Sequence, residues 1–129
     1  MKNDDFMQSL VGIPYKDGGL SPKEGMDCWG LSRWCIKILT GVELPEKPIA
    51  WRHYGCLLGK DAKIERGDLL FFTASPPANI HMGIAMSSSE FINARLQAGQ
   101  VVCEPISRWK SLLLNVGRIT GNMTHDLRN

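Results

Sequence analysis

The stretch from Asp27 to Gly41 admits little besides a helix. Its apolar residues Leu31, Trp34, Cys35, Ile38 and Leu39 recur at helical spacing and make one sticky face. Asp27 is placed to cap the N-terminus, because a carboxylate there accepts from free backbone N–H groups one turn on. Gly41 stands where a left-handed C-cap is wanted, and Pro45 and Pro48 keep the helix from resuming. The spacing predicts a helix over 28–40, about three turns long. Cys28 falls in its first turn, where unpaired N–H groups and the helix dipole favour negative charge. A thiol there is expected to ionise more readily than a free one, and the thiolate is the nucleophile. Position alone leaves a second reading open, in which Cys28 is one more small buried hydrophobe.

At 129 residues the chain is long enough for one core and is read as a single domain over 1–129. A formal net charge of +2 is too small to argue for nucleic acid or an anionic membrane. The start, Met1-Lys2-Asn3-Asp4-Asp5, is acidic and shows no secretory signal. No apolar run is long enough to span a bilayer. The expectation is synthesis in a cytoplasm. The four cysteines, Cys28, Cys35, Cys56 and Cys103, form no CxxC pair and have no metal-ligand spacing. Cys28 and Cys35 lie two helical turns apart, roughly 10 Å, too far for a disulfide. All four are expected to be reduced, with Cys35, Cys56 and Cys103 as core thiols. No metal and no cofactor are called for.

Ahead of the helix, Asp4 to Leu10 reads as a short opening helix, and Asp17-Gly18-Gly19 as the turn that delivers the chain to Cys28. Pro45 to Gly59, with Trp51, His53 and Tyr54, reads as irregular chain covering one edge of the core. From Glu65 the pattern changes to strands. Leu69-Leu70-Phe71-Phe72-Thr73 is a continuous apolar run suited to a buried strand. Residues 81–86, 90–94, 101–104 and 117–120 follow as four more, with a helical turn over 109–114 and a frayed tail over 121–129. Helices first and then an antiparallel meander of about five strands define an α+β fold.

Histidine is the usual base beside a nucleophilic cysteine, because its pKa lies near the working pH. Of the three histidines, His125 falls in the tail and His53 in irregular chain, whereas His81 opens a strand after a Pro-rich loop. A hairpin centred on Ser87 pairs His81 with Asn93 on one face, with Cβ atoms about 5 Å apart. An amide there would hold the tautomer and ring angle of the imidazole. His81, Gly83 and Ala85 would form that face, with room beside the imidazole, and Met82, Ile84 and Met86 the core face. If the helix packs on the His81 face, its first turn brings Cys28 within reach.

At this point the sequence resembles the NlpC-type cell-wall peptidases, a papain-like family of cysteine hydrolases. Gly12-Ile13-Pro14-Tyr15 with Gly18-Gly19 is similar to the family's opening motif, and Asp27-Cys28-Trp29-Gly30-Leu31 to its nucleophile motif. Gly41-Val42-Glu43-Leu44-Pro45 is similar to the end of the nucleophile helix, and Gly67-Asp68-Leu69-Leu70-Phe71-Phe72 to the strand before the base. His81-Met82-Gly83-Ile84-Ala85 and Phe91-Ile92-Asn93-Ala94 resemble the base and orienter strands. The resemblance implies a papain-like fold with the nucleophile helix packed on an antiparallel sheet. It also implies that the cytoplasm of synthesis is bacterial, and that the activity is hydrolysis of peptidoglycan stem peptides, commonly between γ-D-glutamate and diaminopimelate or lysine. By position, Cys28 would be the nucleophile, His81 the base and Asn93 the orienter. Tyr15 would turn its hydroxyl toward the thiol, and Asp27 would help hold substrate.

Two features depart from the family pattern. Trp29 stands where serine usually follows the cysteine, and it is read as a substrate-binding residue that faces either the cleft or the core. The chain also shows no export signal and no wall-binding domain, which resembles short members encoded with bacteriophage tail genes. Tail proteins are therefore expected partners alongside the peptidoglycan stem, and the virion tail a possible location. Other readings are an acyltransferase or amidase on the same scaffold, and a non-catalytic docking component of a tail.

Overall fold

The computed structural model describes residues 5–74 and 79–121. The loop at 75–78, most of the expected tail and His125 lie outside the described residues. Asp5 accepts from the Met7 N–H at 2.9 Å and caps α1 (Phe6–Ser9), so the opening helix is a single turn. A two-residue hairpin, β1 (Leu20–Ser21) with β2 (Gly25–Met26), then feeds directly into α2 (Cys28–Thr40). Asp27 Oδ1 accepts from the Gly30 N–H at 2.9 Å, and Gly41, at φ 79°, closes the far end by donating to the Lys37 carbonyl. Gly30 has a packing reason too. The first turn of α2 presses so closely on the Asp17–Gly19 turn that a Cβ at Gly30 would run into the Gly19 carbonyl.

After a 3₁₀ turn over Pro48–His53, the chain builds a six-stranded antiparallel sheet. Its strands are β3 (Gly55–Leu57), β4 (Leu69–Thr73), β5 (Ile80–Ala85), β6 (Glu90–Arg95), β7 (Gln100–Pro105) and β8 (Leu113–Ile119). β4 to β7 form the expected meander. β8 departs from it, returning across the sheet to pair with both β4 and β3, and gives the order β3-β8-β4-β5-β6-β7. The expected helical turn is split into α3 (Ile106–Trp109) and a 3₁₀ turn over Lys110–Leu112, and Leu113 and Leu114 belong to β8. β3 is missing from the sequence reading because three residues carry too little alternation to register.

The sheet buries both faces. One carries Leu69, Met82, Ile84, Ile92 and Ala94 and packs on α2 through Leu31, Cys35 and Ile36. The other carries Leu70, Phe72, Ala85, Phe91, Leu113 and Val116 and is covered by Ile64 and Ile106, with Trp109 against them. Leu31, Ile84 and Ile92 are fully buried, worth about 1.5–3 kcal/mol apiece in apolar surface removed from water. The stripe on α2 is rotated from the sequence reading: Ile36 is buried and Ile38 is 53% exposed. The sheet meets α2 along the Leu31–Cys35 row, so the row through Ser32 and Ile36 turns inward and Ile38 falls outside the contact.

A buried ion pair ties the sheet together. Asp68, only 1% exposed, accepts from Arg118 Nε and Nη2 of β8 at 2.8 and 2.7 Å and from the Glu65 N–H at 2.8 Å.

Candidate active site

Cys28 is the first residue of α2, half-buried where the helix crosses the start of β5. Three backbone N–H groups, of Met82, Trp29 and Cys28 itself, approach its sulfur and favour the thiolate. Burial outweighs them, and with the neighbouring Asp27 carboxylate it pushes the thiol above its ordinary value. The expectation of a thiol acidified by its helix is therefore corrected. The dipole acts over one exposed turn, whereas here the thiol is desolvated and next to an anion. Cys35 is wholly buried, and its thiol is pushed up to about 12, burial again being the main cause. Cys56 and Cys103 are only half-buried and so are not the core thiols expected; Cys103 Sγ lies 3.7 Å from Met86 Sδ. All four cysteines are free.

His81 lies on β5 on the face turned away from α2, together with Phe72. The condition set for bringing Cys28 within reach, α2 on the His81 face, is not met: the helix packs on the Met82 and Ile84 face, the one read as core, because that face offers Leu69, Ile84 and Ile92 to its apolar stripe. Cys28 meets the backbone of Met82, the residue after His81. No hydrogen bond joins the thiol to the imidazole among the described residues. His81 Nε2 and Asn93 Oδ1 are 2.8 Å apart. The hairpin is centred on Ser88, not Ser87, with Ile84 opposite Ile92 and Ala85 opposite Phe91. His81 and Asn93 thus meet on a diagonal, on one face because the displacement is an even number of residues. The room expected beside Gly83 is filled by the Phe91 ring.

The Asn93 amide is wholly buried and its orientation is determined by its surroundings. Nδ2 donates to Glu104 Oε2 at 3.1 Å and, more weakly, to the Val102 carbonyl at 3.4 Å, both of which can only accept. Oδ1 therefore faces His81, and Nε2 must carry the proton that it donates. In the neutral imidazole the basic nitrogen is then Nδ1. Burial lowers the His81 pKa below its ordinary value, and the bond to Asn93 opposes that; Arg95 lowers it further and Glu104 raises it. Trp109 covers the group, its ring 5.7 Å from that of His81. The sequence reading missed Glu104 and Arg95. Their signal was a carboxylate inside an apolar strand and an arginine two residues beyond Asn93, both on the Asn93 face.

Tyr15, half-buried, is joined to Met26 by a bridge, and its hydroxyl is pushed up by burial and by the charges of Asp27, Asp17 and Cys28. It therefore lies near the thiol. Asp27 uses both oxygens on backbone, Oδ1 on Gly30 and Oδ2 on the Gly18 N–H at 2.9 Å. Trp29 is 5% exposed and its indole N–H donates to the Pro45 carbonyl at 2.9 Å, so it turns into the core and offers no wall to the cleft. An aromatic surface stands elsewhere. Trp51 stacks on Phe71 at 5.5 Å, and with Ile80 and Leu114 they line an open hollow of about 350 Å³ next to Met82, the partner of Phe71. Among the described residues no three His, Cys, Asp or Glu side chains gather to hold a metal ion.

A cysteine at the start of a helix, packed on an antiparallel sheet that carries a hydrogen-bonded histidine and asparagine, is the architecture of papain-like domains. The chain belongs to the NlpC/P60 family, whose model matches residues 12–118. It is 34% identical over 94 residues to the murein DD-endopeptidase MepH of Escherichia coli, covering 68% of this chain and 33% of that one. It is 29% identical over 114 residues to a gamma-DL-glutamyl hydrolase of Bacillus subtilis, covering 86% and 27%. The peptidoglycan hydrolase RipB of Mycobacterium tuberculosis superposes with a TM-score of 0.67 at 26% identity, over 88% of this chain and 61% of that one. The chain spans between 27% and 62% of the length of the curated relatives it matches.

Proposed function

We propose that this chain is a cysteine peptidase that hydrolyses peptidoglycan stem peptides through Cys28, His81 and Asn93. The observation that carries the proposal is the His81–Asn93 hydrogen bond of 2.8 Å, which leaves a basic nitrogen on the residue before Met82, whose backbone meets the Cys28 thiol. Membership of the NlpC/P60 family supports the substrate class.

In this reaction His81 Nδ1 takes the Cys28 proton as Sγ attacks the scissile carbonyl carbon. The thiol begins protonated and the imidazole neutral, in keeping with the directions in which burial moves both groups. Catalytic hydrogen bonds are commonly long without substrate and tighten on binding. The Cys28 N–H, at the open end of α2, serves the oxyanion, and Tyr15 polarises the same carbonyl. His81 passes its proton to the leaving amine as the C–N bond breaks, leaving a thioester on Cys28. Water then loses a proton to His81, attacks the thioester and releases the carboxylic acid, and the thiol recovers its proton. Asp27 shapes the site by holding the Gly18 turn against the first turn of the helix.

The bond assigned is γ-D-glutamyl-diaminopimelate or its lysine equivalent, in line with the gamma-DL-glutamyl hydrolase relative. Incubation with purified sacculi should clear them and release fragments with new L-alanyl-D-glutamate ends, and Cys28→Ala should do neither. Opened cross-links with stems of unchanged length would instead assign the DD bond, and no clearing would favour the docking role. A phage-tail carrier belongs to the same proposal and is checked by finding the chain in purified virions.

A further inference from the structure

Behind Asn93 stands a charged pair that no step of the reaction uses. Glu104 is 8% exposed, and its two oxygens are divided between two partners. Oε2 accepts from Asn93 Nδ2 at 3.1 Å, and Oε1 accepts from Arg95 Nη1 at 2.8 Å. Arg95 in turn lies over the Trp109 ring at 5.3 Å, and Trp109 lies against His81 at 5.7 Å. The contacts close into a ring around the imidazole: His81, Asn93, Glu104, Arg95, Trp109. Removing a carboxylate from water is costly and is not required to hold two strands that already pair over six residues each. A carboxylate on the far side of an amide draws its N–H dipole and leaves Oδ1 more negative, which favours a positive His81. The guanidinium beyond it has the opposite effect. Among the described residues, the charged groups that act on His81 from the packed elements are these two, Glu104 from β7 and Arg95 from β6, with the Cys28 thiol one residue along at Met82.

We propose that Glu104 is a positioning residue of this site: balanced by Arg95, it holds the Asn93 amide with Oδ1 toward His81 and so sets the tautomer and the basicity of the imidazole. This rests on the reading of His81 as the base, and the test is chosen to separate the two. The His81 pKa is followed by NMR in the full chain carrying Cys28→Ala, where no thiol proton interferes. Glu104→Gln keeps an acceptor for Asn93 but deletes the charge, and should lower the His81 pKa by about half a unit or more. Arg95→Gln deletes the opposing charge and should raise it. In the enzyme with Cys28 intact, the acid limb of kcat/KM should follow, moving down for Glu104→Gln and up for Arg95→Gln. Glu104→Gln should also lower kcat about 3- to 30-fold with KM kept, because the base is weaker and less firmly held.

Opposite shifts carry the proposal, since a purely structural role would lower stability in both variants without moving the pKa in opposite directions. Shifts of the same sign, or none, overturn it. Arg95 is partly exposed, so if Glu104→Gln does not fold, the upward shift in Arg95→Gln decides alone. Opposite pKa shifts in a protein that cleaves no stem peptide would preserve the network and discard the peptidase.

Discussion

His81 donates through Nε2 to Asn93 Oδ1 across a diagonal of the β5–β6 pairing, and the buried amide cannot turn over without losing its bond to Glu104. The imidazole is therefore held in one tautomer before any substrate arrives.

Loss of the base and loss of its holder should differ in severity. His81→Ala should fall close to the uncatalysed background. Asn93→Ala should lower kcat by about 10- to 1000-fold, or about 1.4–4 kcal/mol, because His81 still reaches the productive angle part of the time. Asn93→His should retain more than Asn93→Ala, since an imidazole can accept from His81 and donate to Glu104. Steady-state kinetics on a purified muropeptide distinguish the three, and equal loss in both Asn93 variants would remove the orienting role.

The pH profile follows from the two shifted groups. In the proposed reaction His81 must be neutral to take the proton, and its pKa lies below its ordinary value through burial, so activity should persist below pH ~6.5 before the acid limb is reached. The Cys28 thiol is shifted upward, so the alkaline limb, where the shared proton is lost, should lie above the ordinary thiol range. Alkylation of Cys28 should accelerate steadily from neutral into alkaline pH, with no plateau of thiolate reactivity in acid. Cys35 should stay unlabelled until the fold is opened, its thiol being buried and pushed up to about 12. Mass spectrometry of iodoacetamide-treated protein checks both; acid-side labelling of Cys28 would mean a resting thiolate–imidazolium pair.

Trp29→Ser should act through stability. It removes a buried indole and its bond to the Pro45 carbonyl, and should cost about 3–5 kcal/mol in urea unfolding. The ratio of kcat/KM on glycan-linked stems to that on the free tripeptide should be unchanged. A changed ratio at unchanged stability would place the indole in the cleft.

Arg118→Ala should leave the Asp68 carboxylate, 1% exposed, with a single backbone partner. Since Arg118 is itself partly exposed, the loss should be about 2–3 kcal/mol, toward the low end for a broken buried pair. Urea denaturation should show a lower midpoint with an unchanged slope, and kcat should be unaffected.

Local chemistry alone determined several parts of this protein. The limits of α2 follow from the carboxylate of Asp27 and the left-handed backbone of Gly41, each acting within one turn. β4 follows from an uninterrupted apolar run, and the shared face of His81 and Asn93 from the two-residue period of a strand, which survives a displaced hairpin centre. The tertiary structure decided what depends on neighbours far apart in the chain. It chose the sheet face on which α2 lies, inserted β8 beside β4, and turned Trp29 inward to meet Pro45. It also brought Glu104 and Arg95 behind Asn93. Above all it decided the direction in which the Cys28 thiol is shifted. The sequence places Cys28 at a helix N-terminus, where a dipole favours the thiolate, but burial and the charge of Asp27 depend on the packed surroundings, and there they outweigh it.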